Sequence, residues 1–335
     1  MQKIAGRISA VFVAGLVLSC FACQSDPQKV SAPARTSKMP TAAERATPLP
    51  AGPECPKRLL VLVPGFFSQP GQATDDTPPY EEDQTSGFVY FSNEILRTAR
   101  EQGFSPWVVR DLDRFGDFAL NGERLLNDFR GLAERFPGCP FSVIAHSAGG
   151  LYTAYALTRD PSLPIKNVVT LGTPYQGSEL TNLIAWIPGW KKVVAWLNLK
   201  SLREFRRDGM GQILSGLRVP AGVRWVALGG SQKPCFLITC SDARSLTWIL
   251  STAWNFTSRE GDGVVDIESA RAKDVVIPTV DGASIKPEQW LDLPIPLDHW
   301  KMTQEAERFA YLGVLNPGWI REEQRRIYTE ILKRL

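Results

Sequence analysis

The alternation of two kinds of segment after residue 55 is the feature that most constrains the fold. Short apolar runs typical of buried strands occur at 59–63, 107–112, 141–145, 167–171 and 223–228. Amphipathic stretches typical of helices lie between them at 88–102, 121–136 and 149–159. Strands that alternate with helices are joined by crossovers, which produce a mainly parallel sheet with helices on both faces. The sequence therefore predicts one α/β domain over residues 55–335.

The charge and the histidine content argue against two classes of protein. The 335 residues include 38 basic and 35 acidic side chains, and a net charge of +3 is too small for a protein that binds nucleic acid electrostatically. With only two histidines, His146 and His299, we expect no His-rich zinc site. No metal and no cofactor are predicted.

The first 19 residues resemble a bacterial export signal. Lys3 and Arg7 precede a mostly apolar run at 8–18, which is too short to span a bilayer. The run ends in VLSC, which resembles the lipobox of lipoproteins, so we expect Cys20 to become the lipidated N-terminus and to anchor the protein to a membrane of the cell envelope. A secretory signal cleaved near Ala22 is the alternative. In either case the protein is predicted to be exported.

Residues 20–54 are predicted to be a disordered tether. From 24 to 54 the chain is rich in Pro, Ala, Ser and Thr and contains no aromatic residue. Such a segment cannot bury enough apolar surface to offset the entropy lost on ordering.

Four cysteines of the predicted domain can oxidise in an exported protein. Cys55 and Cys139 each precede an apolar run, and if those runs form neighbouring parallel strands the two thiols lie at one sheet edge, where they could bond. Cys235 and Cys240 would close a short loop. Buried free thiols are the alternative.

The strand-like run at 141–145 leads directly into AHSAGG at 145–150. This is the G-x-S-x-G nucleophile pattern with Ala in the first small position, and a helical stretch follows it. Small residues are needed because the chain turns sharply from strand to helix and projects the serine hydroxyl. The pattern predicts Ser147 as a nucleophile.

A serine nucleophile needs a base, which is usually histidine. His146 is adjacent in sequence and cannot easily reach the Ser147 hydroxyl, so we interpret it as a structural residue packed beneath the turn. His299 is then the predicted base, because no other imidazole is available and the order serine, acid, histidine is used in this architecture.

The third member of such a triad is an acid that orients the histidine. Asp262 is the best candidate, because it lies between two glycines that allow a tight turn just before an apolar pair. Asp266 and Asp242 are alternatives, and an Asx turn at Asp262 would be a purely structural role.

The oxyanion of a tetrahedral intermediate needs two backbone donors. One is predicted to be the Ala148 N–H at the start of the helix, where the helix dipole helps. The other should come from the loop after the first strand, where we select the Phe66 N–H, with Gly65 allowing close approach.

Together these segments resemble the bacterial lipase branch of the α/β-hydrolase family. The elbow resembles the Ala-His-Ser-x-Gly segment of some bacterial lipases. Four further segments in family order are VPGF at 63–66, LGTPYQGS at 171–178, GDGVV at 261–265 and DH at 298–299. The resemblance implies an α/β-hydrolase fold, hydrolysis of carboxylic esters and no organic cofactor. Pro64 stands where the family usually has His, and Lys301 stands where some relatives have a calcium-binding Asp, so no metal is carried over.

The segment at about 177–216 is predicted to be a helical cap over the substrate. It contains Trp186 and Trp190 among aliphatic residues, and with Phe67 these are the predicted contacts to an acyl chain or a lipid. Packing of the tryptophans against the core is the alternative.

The sequence therefore predicts a serine hydrolase of acyl or lipid esters that works through an acyl-enzyme intermediate. A phospholipase or an acyltransferase with the same residues is an alternative within enzymes. A non-catalytic hydrolase fold that binds lipid or an envelope partner is the alternative outside them.

Overall fold

The computed structural model describes residues 55–56, 58–66, 90–110, 112–113, 116–178, 181, 204–231, 260–291, 295–303 and 317–335. Its strands are β1 (Leu59–Val63), β2 (Ser105–Val108), β3 (Phe141–His146), β4 (Ile165–Leu171), β5 (Arg224–Leu228), β6 (Ile277–Pro278) and β7 (Ser284–Ile285). Its helices are α1 (Asn93–Glu101), α2 (Phe118–Arg135), α3 (Gly149–Arg159), α4 (Arg207–Gly216), α5 (Ile267–Ala270) and α6 (Pro317–Arg334).

Five parallel strands form the central sheet in the order β2-β1-β3-β4-β5. Alternate residues of each strand point to opposite faces, so Leu59 and Val61 join one core while Leu60 and Leu62 join the other. Buried side chains of α2 and α3 cover the first face, and those of α1 and α6 cover the second. The predicted parallel sheet with helices on both faces is confirmed.

The edge strand β2 differs from its predicted bounds. The apolar pattern predicted a strand at 107–112, whereas β2 spans Ser105–Val108 and contains Pro106. A proline has no N–H to donate to a ladder, but in the sheet that the structure describes β2 pairs only with β1, so Pro106 leaves no ladder hydrogen bond unmade on its other side. The ladder extends one bond further, from the Val109 N–H to the Leu62 carbonyl.

Capping side chains explain where α1 and α2 begin. The predicted helix at 88–102 starts only at Asn93, because Ser92 Oγ accepts a hydrogen bond from the Ile95 N–H. The predicted helix at 121–136 starts earlier, at Phe118, because Asp117 Oδ1 accepts the Leu120 N–H at 2.9 Å.

The C-terminal helix α6 was not predicted and supports the second face of the sheet. Its Ile331 and Leu332 are buried in the core, and Arg325 Nε forms a 2.7 Å ion pair with the buried Glu94 of α1. Among the described residues, no helix combines the length and the apolar character needed to cross a membrane.

A disulfide joins Cys55 and Cys139. The two residues precede β1 and β3, which are neighbours in the sheet, and their Cα atoms are 5.7 Å apart. The bond therefore lies at the edge where the strands begin, opposite the edge where they end. Cys235 and Cys240, the second predicted pair, lie outside the described residues.

Candidate active site

Ser147 lies at the sharp turn between β3 and α3. Its φ is 55°, a left-handed conformation that is unusual for a residue other than glycine. Two hydrogen bonds hold it there: the Ser147 N–H donates to the Leu171 carbonyl at 2.8 Å, and Thr173 Oγ1 donates to the Ser147 carbonyl at 2.7 Å. The turn has the strained conformation expected of the predicted nucleophile elbow, and the chain that follows β4 holds it.

Small residues allow two backbone segments, the loop after β1 and the turn after β3, to meet at this elbow. A Cβ on Gly65 would lie 2.6 Å from the Ser147 Cβ, and one on Gly149 would lie 2.7 Å from the Pro64 carbonyl oxygen. A side chain at either glycine would push the loop after β1 away from the serine. The spacing of small residues in the sequence pattern thus has a steric cause.

The structure brings the predicted nucleophile, base and acid into one hydrogen-bonded row. His299 Nε2 lies 2.9 Å from Ser147 Oγ, and His299 Nδ1 lies 2.8 Å from Asp262 Oδ2. Asp262 is fully buried, while His299 and Ser147 are 2% and 8% exposed. The row can therefore pass a proton away from a hydroxyl that solvent barely reaches.

The carboxylate of Asp262 is oriented by its own loop. Its Oδ1 accepts the N–H groups of Val264 and Val265 at 2.9 and 2.7 Å, which leaves Oδ2 directed at His299. The Asp262 carbonyl also accepts the His299 backbone N–H at 2.9 Å. The Asp262 side chain thus forms an Asx turn through Oδ1 and contacts His299 through Oδ2, so the two predicted roles are compatible.

Of the two alternative acids, Asp266 makes its contacts away from His299. Asp266 Oδ1 accepts the Ser269 N–H and caps α5, and its Oδ2 forms a 2.5 Å ion pair with Arg207. Both oxygens are engaged away from His299. Asp242 lies outside the described residues.

The turn that carries His299 is held by groups that were not predicted from the sequence. Asp298 Oδ1 accepts the Lys301 N–H at 2.8 Å, and Asp298 Oδ2 pairs with the buried Lys301 ammonium at 3.2 Å. From α6, Gln324 donates to the Lys301 carbonyl at 2.7 Å and Tyr328 donates to the Met302 carbonyl at 3.1 Å. Gln324 is a polar residue at a buried position of an amphipathic helix, and this is the feature of the sequence that could have indicated its supporting role.

His146 is fully buried beneath the elbow. Its Nδ1 lies 2.7 Å from the Tyr90 hydroxyl, and its ring centroid lies 4.5 Å from that of His299. Burial, followed by the charge that His299 can carry, lowers the pKa of His146 well below 6.5, so the ring is neutral at neutral pH.

The predicted oxyanion donors lie on the two segments that meet at the elbow. Ala148 is the N-cap of α3, and a Cβ on Gly65 would lie 3.1 Å from its nitrogen. Phe66 follows Gly65 and is 9% exposed. The Gly65 N–H itself donates to the Tyr90 hydroxyl at 2.9 Å, so it is engaged away from the serine.

Several predicted residues lie outside the described ranges. These are the proposed substrate contacts and the lipidation site: Phe67, Trp186, Trp190 and Cys20. The predicted cap at about 177–216 is described only in part, and within this range Met210 of α4 is buried in the core. Within the described ranges, no three His, Cys, Asp or Glu side chains cluster as metal ligands would.

Solved bacterial hydrolases share this architecture. A metagenomic carboxyl esterase, MGS0156, matches with a TM-score of 0.58 at 17% identity, over 87% of this chain and 80% of that chain. The Staphylococcus hyicus lipase matches with a TM-score of 0.57 at 14% identity, over 85% and 97%. The mature Bacillus licheniformis lipase BlEst2 matches with a TM-score of 0.52 at 20% identity, over 76% and 88%.

No protein-family model and no curated protein matches the sequence. The sequence identities to these solved structures are low, so the similarity to them is evidence for the fold alone. Together with the parallel sheet, it shows that the chain has the α/β-hydrolase fold, as the sequence predicted.

Proposed function

We propose that the protein is a serine hydrolase that cleaves carboxylic esters of acyl or lipid substrates. The row from Ser147 Oγ through His299 to Asp262 Oδ2, with steps of 2.9 and 2.8 Å, is the observation that carries the proposal. These are hydrogen-bond distances, so the base is already in reach of the proton that it must take.

In the acylation step, Ser147 Oγ attacks the ester carbonyl while His299 Nε2 accepts the hydroxyl proton. Asp262 Oδ2 holds the Nδ1–H and stabilises the imidazolium that forms. The N–H groups of Phe66 and Ala148 stabilise the oxyanion. Collapse of the tetrahedral intermediate breaks the carbon–oxygen bond of the ester, and the proton on Nε2 passes to the departing alcohol.

In the deacylation step, a water molecule takes the place of the alcohol. His299 accepts its proton, the hydroxide adds to the acyl carbonyl, and the acid is released as the proton returns to Ser147. Each step balances with water and ester alone, so the proposed reaction needs no cofactor.

The test uses p-nitrophenyl esters of increasing chain length and two serine variants. Ser147→Ala should lower kcat by on the order of 10⁶, because the nucleophile is lost. Ser142→Ala is the control, since Ser142 lies on the strand that leads to Ser147, is also 8% exposed, and its hydroxyl bonds to the Asn167 side chain at 3.0 Å. Its kcat should stay at the wild-type value.

A fluorophosphonate probe provides the second measurement. It should label the wild-type protein and Ser142→Ala but not Ser147→Ala. A wild-type protein that neither turns over the esters nor reacts with the probe would show that the proposed function is wrong and would favour a binding role.

The proposal extends to export and to a lipid anchor on Cys20. The Cys55–Cys139 disulfide fits an oxidising compartment, and the N-terminal segment resembles a lipoprotein signal. Labelling of cells with a fatty-acid probe should tag the wild-type protein and not Cys20→Ala. A Cys20→Ala variant that stays in the membrane fraction would contradict the anchor.

A further inference from the structure

The Tyr90 hydroxyl joins two parts of the active site that are far apart in sequence. Its oxygen accepts the Gly65 N–H at 2.9 Å and lies 2.7 Å from His146 Nδ1. Tyr90 is 4% exposed and His146 is fully buried. One oxygen atom therefore connects the loop after β1 with the end of β3, next to the nucleophile.

The protons in this bridge can be assigned from its chemistry. The Gly65 N–H is a donor, so the hydroxyl oxygen accepts there, and we assign its own proton to the 2.7 Å hydrogen bond with His146 Nδ1. Burial raises the pKa of the Tyr90 hydroxyl and lowers that of the His146 imidazole, so both groups stay neutral. Neutral His146 then accepts at Nδ1 and carries its proton on Nε2.

The bridge acts on the loop that supplies the second oxyanion donor. Gly65 has no side chain with which to anchor itself, and its Cα faces the Ser147 side chain so closely that none would fit. The hydrogen bond to Tyr90 therefore holds the Pro64–Gly65 peptide plane, to which the Gly65 N–H belongs. The Phe66 N–H lies in the next peptide plane, which is joined to the first at the Gly65 Cα, so its position depends on where the first plane is held.

His146 also needs to be neutral for a second reason. Its ring lies 4.5 Å from the His299 ring, centroid to centroid. A positive charge on His146 would oppose the imidazolium that forms on His299 when it takes the serine proton. The same ring that accepts from Tyr90 is thus the neighbour that must not become charged.

We propose that Tyr90 and His146 are positioning residues for the oxyanion hole: the hydroxyl of Tyr90, with its proton held by neutral His146, fixes the Gly65 amide and so directs the Phe66 N–H at the reacting carbonyl oxygen. The proposal rests on the proposed ester hydrolysis. It assigns no contact with substrate to either side chain.

Tyr90→Phe removes the hydroxyl and keeps the ring. Because an oxyanion donor acts on the transition state more than on the bound ester, kcat should fall about 10- to 100-fold while KM stays within about twofold. Tyr175→Phe is the matched control: Tyr175 is equally buried, its hydroxyl bonds to Thr170 and Trp225, and it belongs to the core on the other face of the sheet. Its kcat should stay near wild type.

Two substitutions of His146 separate positioning from packing. His146→Asn places an amide oxygen near the position of Nδ1 and should retain kcat within about threefold of wild type. His146→Leu fills similar space without an acceptor and should lose as much kcat as Tyr90→Phe. Equal losses in both variants would overturn the proposal.

Amide hydrogen exchange measures the loop without reference to catalysis. Exchange in a peptide covering residues 59–66 should be faster in Tyr90→Phe than in Tyr175→Phe, because the Gly65 N–H loses its acceptor. This measurement stays informative if His146→Leu does not fold.

The outcomes distinguish the two proposals. A wild-type protein without ester turnover overturns the proposed function and, with it, the role in catalysis. An active wild-type protein whose Tyr90→Phe variant keeps full kcat, or keeps wild-type exchange in 59–66, overturns only the role of Tyr90 and His146.

Discussion

Gly172 lies directly against the Asp262 carboxylate. A Cβ on this glycine would be 2.8 Å from Asp262 Oδ2 and 3.1 Å from His299 Nδ1, the two atoms that share a hydrogen bond. Gly172 follows β4 and has a φ of 61°, which L residues with side chains seldom adopt. Both the conformation and the space require glycine beside this bond.

Gly172→Ala should therefore impair catalysis out of proportion to its effect on stability. The new methyl group must displace the carboxylate or the imidazole, and a displacement of this kind costs roughly 100-fold in kcat. Gly282→Ala is the control, because Gly282 has a φ of 87° and no atom lies within 4 Å of the place that its new methyl group would occupy. It should lose about 1–2 kcal/mol of unfolding free energy from backbone strain and keep its kcat.

Thermal unfolding and ester turnover measured on both glycine variants provide the comparison. If the two variants lose stability equally and kcat equally, the contact between Gly172 and the Asp262–His299 pair has no catalytic consequence.

The two nearby aspartates should respond differently to amidation. Asp262→Asn should lower kcat by roughly 10⁴, because an amide cannot hold His299 in the tautomer that accepts the serine proton. Asp266→Asn should keep kcat and lose about 1 kcal/mol of stability, because the ion pair with the partly exposed Arg207 is lost while an amide oxygen can still cap α5. Steady-state kinetics and chemical denaturation of both variants measure this difference. A larger loss of kcat in Asp266→Asn would reverse the assignment of the acid.

Local patterns explain why the sheet and the meeting of Ser147, Asp262 and His299 could be anticipated. Apolar runs set the strands, and each of the three residues stands in a short motif whose chain order suits the fold. Each of these motifs predicts the conformation of its own backbone segment, and that conformation determines where the side chain of the residue lies.

The supporting contacts could not be anticipated in the same way. Gln324 reaches the Lys301 carbonyl, and Tyr90 reaches His146 across 56 residues, only because α6 and the segment before α1 pack on the same face of the sheet. No local pattern encodes which distant carbonyl or ring nitrogen a buried polar side chain will meet. The edge position of β2, which tolerates Pro106, likewise depends on the strand order.

Reduction of the Cys55–Cys139 disulfide should lower stability and leave the active site intact. The bond closes a loop with a sequence separation of 84, for which the chain-entropy relation gives about 4–5 kcal/mol of stabilisation. It joins the starts of β1 and β3, whereas Ser147 follows the end of β3. The double variant Cys55→Ser and Cys139→Ser should therefore unfold at lower denaturant concentration and retain kcat at 25 °C. A loss of kcat in the fully folded double variant would contradict this separation.

The buried imidazole of His146 should make the folded state sensitive to mild acid. Its pKa in the folded protein lies well below 6.5, its ordinary value, so the unfolded chain binds a proton there that the folded chain does not. The stability that this residue contributes to the folded state is therefore present above about pH 6.5. It is lost as the pH falls below that value, by up to about 1.4 kcal/mol per pH unit.

Chemical denaturation of wild type and His146→Asn at several pH values measures this contribution. Between about pH 6.5 and 5.5 the wild-type protein should lose about 1 kcal/mol more unfolding free energy than His146→Asn, which has no proton to gain at this position. The comparison subtracts every other group that titrates in the same range, because those groups are common to both proteins. Parallel stability curves would mean that His146 is not held neutral by burial, and the acceptor role of its Nδ1 toward Tyr90 would lose its basis.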